Sequence, residues 1–253
     1  MLSLSVNSSC SFVISNSYKP WSNSGKLSLN PSPYIPADSQ QQQQQHQQQQ
    51  FHQSYKAPPS PLPSQLASLD TPSRLQILSD RLGLWHQYTP LIPFLLNQGF
   101  SPPSIEEQTG ISAIQQNRLV VAAQVRDSLI QSNTDPEVVS FFDIGGEQLL
   151  YEIRLLSAKQ RASAAEFIVQ NDLDVNGAQE LARAIKDFPS RKDEKGRENF
   201  DYTLPGDCLA FMCYRQSREH DINSSQRNAA LERALSVAQT HKAKIAVSQE
   251  LNE

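Results

Sequence analysis

The chain has 253 residues, a formal net charge of −4 and a hydrophobic fraction of 38%, and its mean hydropathy of −0.50 is low for a fully folded chain of this length. The 16 prolines and the glutamines are concentrated in the first quarter, so we expect the unfolded part there. No run approaches the roughly 18 apolar residues of a membrane span, and no folded segment is basic, which argues against a membrane and against nucleic acid as partners.

Residues 1–65 are predicted to be a transit peptide followed by a disordered spacer. The first 36 residues contain eleven serines and no acidic residue, which is typical of an organellar leader and favours a plastid, although arginine is absent. A glutamine tract from Gln40 to Gln50 and the proline-rich stretch KAPPSPLPSQ then follow. Such compositions bury too little apolar area to fold. An ordinary disordered tail is the alternative interpretation.

From Leu66 onward the pattern is helical, and four predicted helix starts carry the same capping signature. A small polar side chain accepts a backbone N–H, and Glu or Gln three residues later reaches back to the cap. The four predicted N-cap residues are Ser104, Ser112, Ser157 and Asn176. Apolar residues at helical spacing follow each of them, and another helix is predicted to open near Gly146.

Two later segments complete the predicted fold. Residues 196–216, GRENFDYTLPGDCLAFMCYRQ, contain Pro205-Gly206, so we expect an irregular segment packed on the bundle. Residues 223–253 are predicted to form one long charged helix. The sequence therefore predicts an all-α fold in four parts. These are the leader (1–65), a helix-turn-helix-like subdomain (66–131), an α-helical subdomain (132–222) and the charged C-terminal helix (223–253).

Residues 101–121, SPPSIEEQTGISAIQQNRLVV, have the outline of a helix-turn-helix. A motif that reads DNA needs many cations directed at phosphates. Here residues 66–131 carry a net charge of −1, and the second helix offers only Arg118 and Arg126. The motif is therefore predicted to be a protein-docking scaffold, with a DNA-binding regulator as the alternative.

Patterns typical of enzymes are absent from the predicted folded part. Cys208 and Cys213 lack the CxxC spacing of zinc and redox sites, so we expect two reduced, half-buried thiols. No histidine pair has ligand spacing, and no glycine-rich phosphate loop occurs. The sequence predicts that the chain is not an enzyme and uses no metal or cofactor.

Three long blocks stand out: residues 151–191, YEIRLLSAKQRASAAEFIVQNDLDVNGAQELARAIKDFPSR, residues 200–220, FDYTLPGDCLAFMCYRQSREH, and residues 83–112, GLWHQYTPLIPFLLNQGFSPPSIEEQTGIS. These blocks resemble the Rubisco accumulation factor 1 family. The resemblance covers about residues 66–253. It implies an α-domain with a helix-turn-helix part and a helical part, then a linker and a β-domain through which two copies dimerise.

The resemblance also implies a function, that of a Rubisco assembly chaperone in the chloroplast stroma. Such a chaperone binds folded large subunits released by the chaperonin, stabilises their dimers and promotes assembly of the octameric core, without nucleotide or metal. The family's β-domain would lie beyond Glu253, so we expect this chain to be monomeric. A fragment, a short isoform and a truncated gene model all remain open, and an inactive isoform is a further alternative.

A group of cations stands out in residues 132–190, whose net charge is −5. Arginines at a polar rim are common in transient interfaces, so we hypothesise that these cations contact the Rubisco large subunit. The predicted partner-binding residues are Arg154, Lys159, Arg161, Arg183 and Lys186. A merely solvated helix face is the alternative.

Overall fold

The computed structural model describes residues 64–222 and 224–252, all of which belong to one compact unit. These ranges are helical and contain no strand, so the predicted all-α class is confirmed. The helices are α1 (Ser64–Ala67), α2 (Thr71–Asp80), α3 (Trp85–Tyr88), α4 (Leu91–Asn97), α5 (Pro102–Thr109), α6 (Ala113–Gln131), α7 (Pro136–Phe141), α8 (Glu147–Glu152), α9 (Ala158–Gln170), α10 (Val175–Asp187), α11 (Pro205–Ser217), α12 (Ser225–Val237) and α13 (His241–Leu251). Short 3-10 helices cover Ile153–Leu155, Phe188–Ser190 and Arg197–Asn199. None of the helices in the described ranges is long and apolar enough to cross a bilayer.

The predicted leader lies outside the described residues, except that α1 already includes Ser64 and Gln65. The side chain of Arg74 on α2 ties α1 to the rest of the unit. Its guanidinium donates to the carbonyl oxygen of Ala67 at 2.8 Å and lies 4.3 Å from the centre of the Phe94 ring. This buried arginine therefore fixes α1 against α2 and α4.

Two of the four predicted helix starts are confirmed. Ser112 and Ser157 each form a complete capping box, in which the serine accepts the N–H of the third helical residue and a glutamine reaches back. Both boxes satisfy backbone donors that would otherwise be orphaned at the helix end. Gly146 also precedes a helix, α8, as expected.

The other two predicted starts are wrong, because a better cap lies a few residues earlier. Ser101, and not Ser104, caps α5, and Pro102 occupies the first helical position, where its missing N–H costs nothing. Asp174, and not Asn176, caps α10, and its Oδ1 accepts the N–H of Gly177 at 2.7 Å.

The helix-turn-helix consists of α5, a short turn and α6. Gly110 ends α5 in the left-handed region at φ 69°, which a residue with a Cβ adopts only with strain. The buried side-chain amide of Gln116 donates to the carbonyl oxygens of Pro102, at 2.9 Å, and Ile111, at 2.8 Å. These bonds fix α6 against the start of α5 and the turn.

The segment predicted to be irregular contains α11, the most buried helix of the described chain, so that prediction is wrong. Every residue from Pro205 to Tyr214 is buried. A helix that is buried on nearly all sides shows no clear amphipathic period, and proline at its first position resembles a turn signal. A Cβ on Gly206 would lie 2.4 Å from the carbonyl oxygen of Val237, so glycine is required for this close approach of α11 and α12.

The single helix predicted for residues 223–253 is corrected to two helices, α12 and α13, which meet at Ala238–Thr240. The fully buried carboxylate of Asp207 on α11 holds this break. It accepts the backbone N–H of Gln239 at 2.8 Å, the N–H of Thr240 at 3.0 Å and the hydroxyl of Thr240 at 2.6 Å. The break therefore depends on a residue more than 30 positions earlier in the chain.

Candidate functional site

The helix-turn-helix part joins the helical part where α8 packs along α6. The indole N–H of Trp85 donates to the carbonyl oxygen of Phe142 at 2.8 Å. Close by, the guanidinium of Arg126 on α6 pairs with Asp143 Oδ1, with both Nε and Nη2 at 2.8 Å. A buried hydrogen bond and a half-buried ion pair thus hold the two parts in one arrangement.

His86 lies beside that ion pair, with its Nε2 3.3 Å from Asp143 Oδ1. Burial lowers the pKa of His86 below its ordinary value, and the positive charge of Arg126 lowers it further, whereas the carboxylate of Asp143 acts in the opposite direction. The imidazole is therefore neutral near pH 7, and Arg126 supplies the cation of the pair.

A polar cleft opens next to this junction, with space of about 90 Å³ between the two parts. Its walls come from the end of α2, from α3, from the turn before α6, and from the first turns of α6 and α8. The lining residues are Arg81, Tyr88, Ile111, Gln115, Arg118, Leu119, Glu147 and Gln148.

The cleft brings together two cations and one anion around a phenol. Burial raises the pKa of Tyr88, the charge of Arg81 lowers it, and the charge of Glu147 raises it further. The phenol therefore remains protonated at neutral pH and can donate a hydrogen bond. Among the charged residues of the cleft, only Arg118 was singled out from the sequence, as one of the two cations on the second helix of the motif. No local pattern connects it with Arg81 or Glu147, which lie far away in the sequence.

The five predicted partner-binding residues lie on three elements that contact one another: the 3-10 helix Ile153–Leu155, α9 and α10. Arg154 belongs to the 3-10 helix, Lys159 and Arg161 to α9, and Arg183 and Lys186 to α10. The structure therefore brings these elements together, while the contact with a partner stays a prediction.

Two of the five side chains make contacts within the chain. Arg161 donates to Ser128 Oγ on α6 and to the carbonyl oxygen of Arg154, both at 3.0 Å. Arg154 donates to the carbonyl oxygen of Tyr151 at 2.7 Å and stacks 3.8 Å from the centre of that ring. These two guanidiniums hold α6, α9 and the 3-10 helix together.

The remaining three cations, Lys159, Arg183 and Lys186, are exposed, and no ion pair or side-chain hydrogen bond engages them within residues 64–222 and 224–252. The neighbouring Leu155 exposes 63% of its surface. This leucine was not predicted from the sequence, where its only signal is a large apolar residue next to the predicted partner-binding residue Arg154.

The described residues contain no group of three or more His, Cys, Asp or Glu side chains that could hold a metal ion. Cys208 and Cys213 are free thiols, and both are buried rather than half-buried as expected. Burial is the main reason that the pKa of Cys208 rises to about 12 and that of Cys213 to about 11. Neither thiol is a nucleophile near neutral pH.

Two family models match the chain. The model described as the Rubisco accumulation factor 1 helix turn helix domain matches residues 70–130. The model described as the Rubisco accumulation factor 1 alpha helical domain matches residues 142–251. Residues 131–141, which include α7, lie between the two matches.

Curated relatives carry the same family name. The chain is 54% identical over 221 residues to Rubisco accumulation factor 1.1, chloroplastic, of Arabidopsis thaliana, covering 87% of this chain and 50% of the relative. It is 50% identical over 196 residues to the Zea mays protein, covering 76% and 42%, respectively. The cyanobacterial protein of Synechococcus elongatus is 33% identical over 178 residues, covering 70% and 49%. The chain thus spans about half the length of the curated relatives it matches.

Proposed function

Because the chain belongs to the Rubisco accumulation factor 1 family, we propose that it takes part in Rubisco assembly as a chaperone that binds the large subunit. In this proposal it acts after the chaperonin, stabilises large-subunit dimers and favours assembly of the octameric core. The names of the plant relatives, which include the word chloroplastic, support a location in the chloroplast, and we place the activity in the stroma.

The observation that carries the proposal is a group of exposed side chains on three elements that contact one another. The group consists of Leu155, Lys159, Arg183 and Lys186 and is called here the α9–α10 surface. An exposed leucine beside cations that no described carboxylate engages resembles an interface anchor with a polar rim. Binding alone stabilises an assembly intermediate by mass action, so this activity requires no reacting group.

Charge reversal on this surface tests the proposal. We expect the triple variant Lys159→Glu, Arg183→Glu and Lys186→Glu to weaken capture of chaperonin-released large subunits at least about tenfold, because reversed charges repel acidic partners and slow their encounter. Capture is measured by native gel electrophoresis. Arg161 is left intact, because reversing it would also break its bonds to Ser128 and to the Arg154 backbone.

A matched control changes the net charge by the same amount elsewhere. Lys192, Lys195 and Lys244 are exposed, and reversing all three should leave capture within about twofold of the parent if the α9–α10 surface is the one that binds. Circular dichroism establishes that both variants remain folded. Equal loss in the two variants, or no loss in either, would refute the proposed surface.

A further inference from the structure

The cleft between α6 and α8 has the features of a second docking site. We propose that it binds an acidic peptide segment of a partner protein, whose carboxylates pair with Arg81 and Arg118 while Gln115 and Tyr88 donate hydrogen bonds. The proposal rests on the cleft alone and does not depend on the identity of the client bound by the α9–α10 surface.

The two arginines of the cleft differ from most arginines of the described chain. Arg126, Arg215 and Arg218 each pair with a carboxylate. For Arg81 and Arg118, in contrast, no ion pair or side-chain hydrogen bond occurs within residues 64–222 and 224–252. Guanidinium groups bind carboxylates through paired, charge-assisted hydrogen bonds, so an incoming acidic side chain supplies the partner that the fold does not.

The neighbouring groups supply donors and an apolar floor. Gln115 uses its Oε1 to accept the N–H of Ser112 at 3.1 Å, which leaves its NH₂ group to donate into the cleft. Ile111 and Leu119 are buried beneath the polar rim and can contact the methylene groups of a glutamate side chain. This combination suits a side chain with an apolar stem and an anionic end.

The size of the cleft also suits a side chain. The space of about 90 Å³ is several times what a single water molecule requires, so a carboxylate with one or two methylene groups can enter it. Arg81, Gln115 and Gln148 are exposed at the rim, so a peptide backbone can run across the opening.

Glu147 makes the α8 side of the cleft negatively charged, opposite to the side of the two arginines. Its carboxylate repels an anion, so the acidic ligand must lie towards Arg81 and Arg118, and its charge also opposes a phosphate backbone passing along α6. Because Glu147 acts against binding, replacing its carboxylate with a neutral group should strengthen binding of the acidic peptide. If the two arginines had only a structural role, this change would leave binding unaffected.

The test titrates the full chain with a labelled, end-blocked tetrapeptide that has two central glutamates, at low ionic strength, by fluorescence anisotropy. We expect Arg81→Gln and Arg118→Gln each to weaken binding about fivefold, and Glu147→Gln to strengthen it about threefold, since each change removes one nearby charge. Lys192→Gln, which removes one exposed positive charge outside both the cleft and the α9–α10 surface, should stay within about twofold.

Two further probes identify the ligand class. The same peptide with two glutamines should not bind, and free glutarate should bind more weakly than the peptide, because the peptide backbone also contacts the rim. Equal binding of the glutamine peptide, an unchanged affinity in Glu147→Gln, or tighter binding of a duplex oligonucleotide through the same arginines would overturn the proposal. Since no Rubisco subunit is present, failure here is distinct from failure of the proposed chaperone function.

Discussion

At the scale of single residues, Asp207 connects the loop before α11 with the break between α12 and α13. Its carboxylate is fully buried and accepts bonds from the backbone of Asp201, from the chain after α12 and from the hydroxyl that caps α13. A buried carboxylate is costly unless several donors surround it. Here the donors come from the loop before α11 and from the helix break, so the acid holds both in place.

We therefore expect Asp207→Asn to lower the free energy of unfolding by about 2 kcal/mol. The amide keeps the shape of the side chain, but its NH₂ group faces the N–H of Asp201, so one buried donor loses its acceptor. Urea denaturation measures the change. Asp201→Asn is the control, because that exposed side chain only accepts bonds within its own turn and should cost less than about 1 kcal/mol.

Because two thiols are buried, we expect the stability of the folded state to depend on pH. Their pKa values of about 12 and about 11 lie above the ordinary value of 9.0, so the folded state keeps protons that the unfolded state loses. Stability contributed by the protonated thiols is complete below pH 9.0 and decreases as the pH rises above it.

The burial of the two thiols is tested by their reactivity. In a Cys10→Ser chain, Ellman's reagent should find almost no reactive thiol in the native protein at pH 8 and both thiols in guanidinium. Rapid modification of the native protein would contradict the burial of both sulfurs.

At the scale of helices, the contact between α11 and α12 depends on the absence of one methyl group. The position that a Cβ on Gly206 would take lies 2.4 Å from the Val237 carbonyl oxygen and 2.7 Å from Phe167. Neither a backbone carbonyl nor a buried ring can move away without shifting a helix. The distance between α11 and α12 is thus set by glycine.

Gly206→Ala should accordingly destabilise the protein by about 2–3 kcal/mol, as overpacking does in other cores. Gly177→Ala provides a matched control in the first turn of α10, where the nearest atoms lie 3.2 Å from the added Cβ. That change should be within about 1 kcal/mol of the parent, because the smaller entropy of the unfolded alanine chain offsets the tight contact. Similar melting temperatures for the two variants would argue against the close approach at Gly206.

The features that were predicted correctly from the sequence are those that short-range patterns determine. The capping boxes at Ser112 and Ser157 need only four consecutive residues, and both are confirmed. The break between α12 and α13 was not predictable, because Asp207 that holds it lies more than 30 residues away. The same limit applies to the candidate site. Composition was enough to identify the five cations, but the hydrogen bond from Arg161 to Ser128 spans 33 positions and follows from no periodicity in the sequence.

At the scale of the whole described unit, the helix-turn-helix is joined to a second group of helices. In DNA-reading proteins the N-terminal half of the second helix meets the bases. Here that half of α6 shares a cleft with the first turn of α8, whose Glu147 and Gln148 line the opposite wall. The sequence already predicted weak electrostatic attraction to DNA. The structure adds the carboxylate of Glu147 across the cleft from the N-terminal half of α6.

We expect no retardation of a mixed-sequence DNA duplex at low salt with about 10 µM protein, a concentration at which many DNA-binding proteins already bind non-specifically. A repressor with a basic helix-turn-helix serves as the positive control on the same gel. A shifted band that disappears in an Arg118→Gln variant would instead support the DNA-binding alternative.

The packing of α8 along α6 also restricts how this chain can change over evolutionary time. A basic substitution in the wall of the cleft would place the new charge near Glu147, and one at the junction would disturb the contacts of Trp85, Arg126 and Asp143. In a lineage with this arrangement, the packing of α8 would have to change before the cleft-facing side of α6 could contact nucleic acid. Divergence within such a lineage is therefore expected to adjust which proteins it recognises.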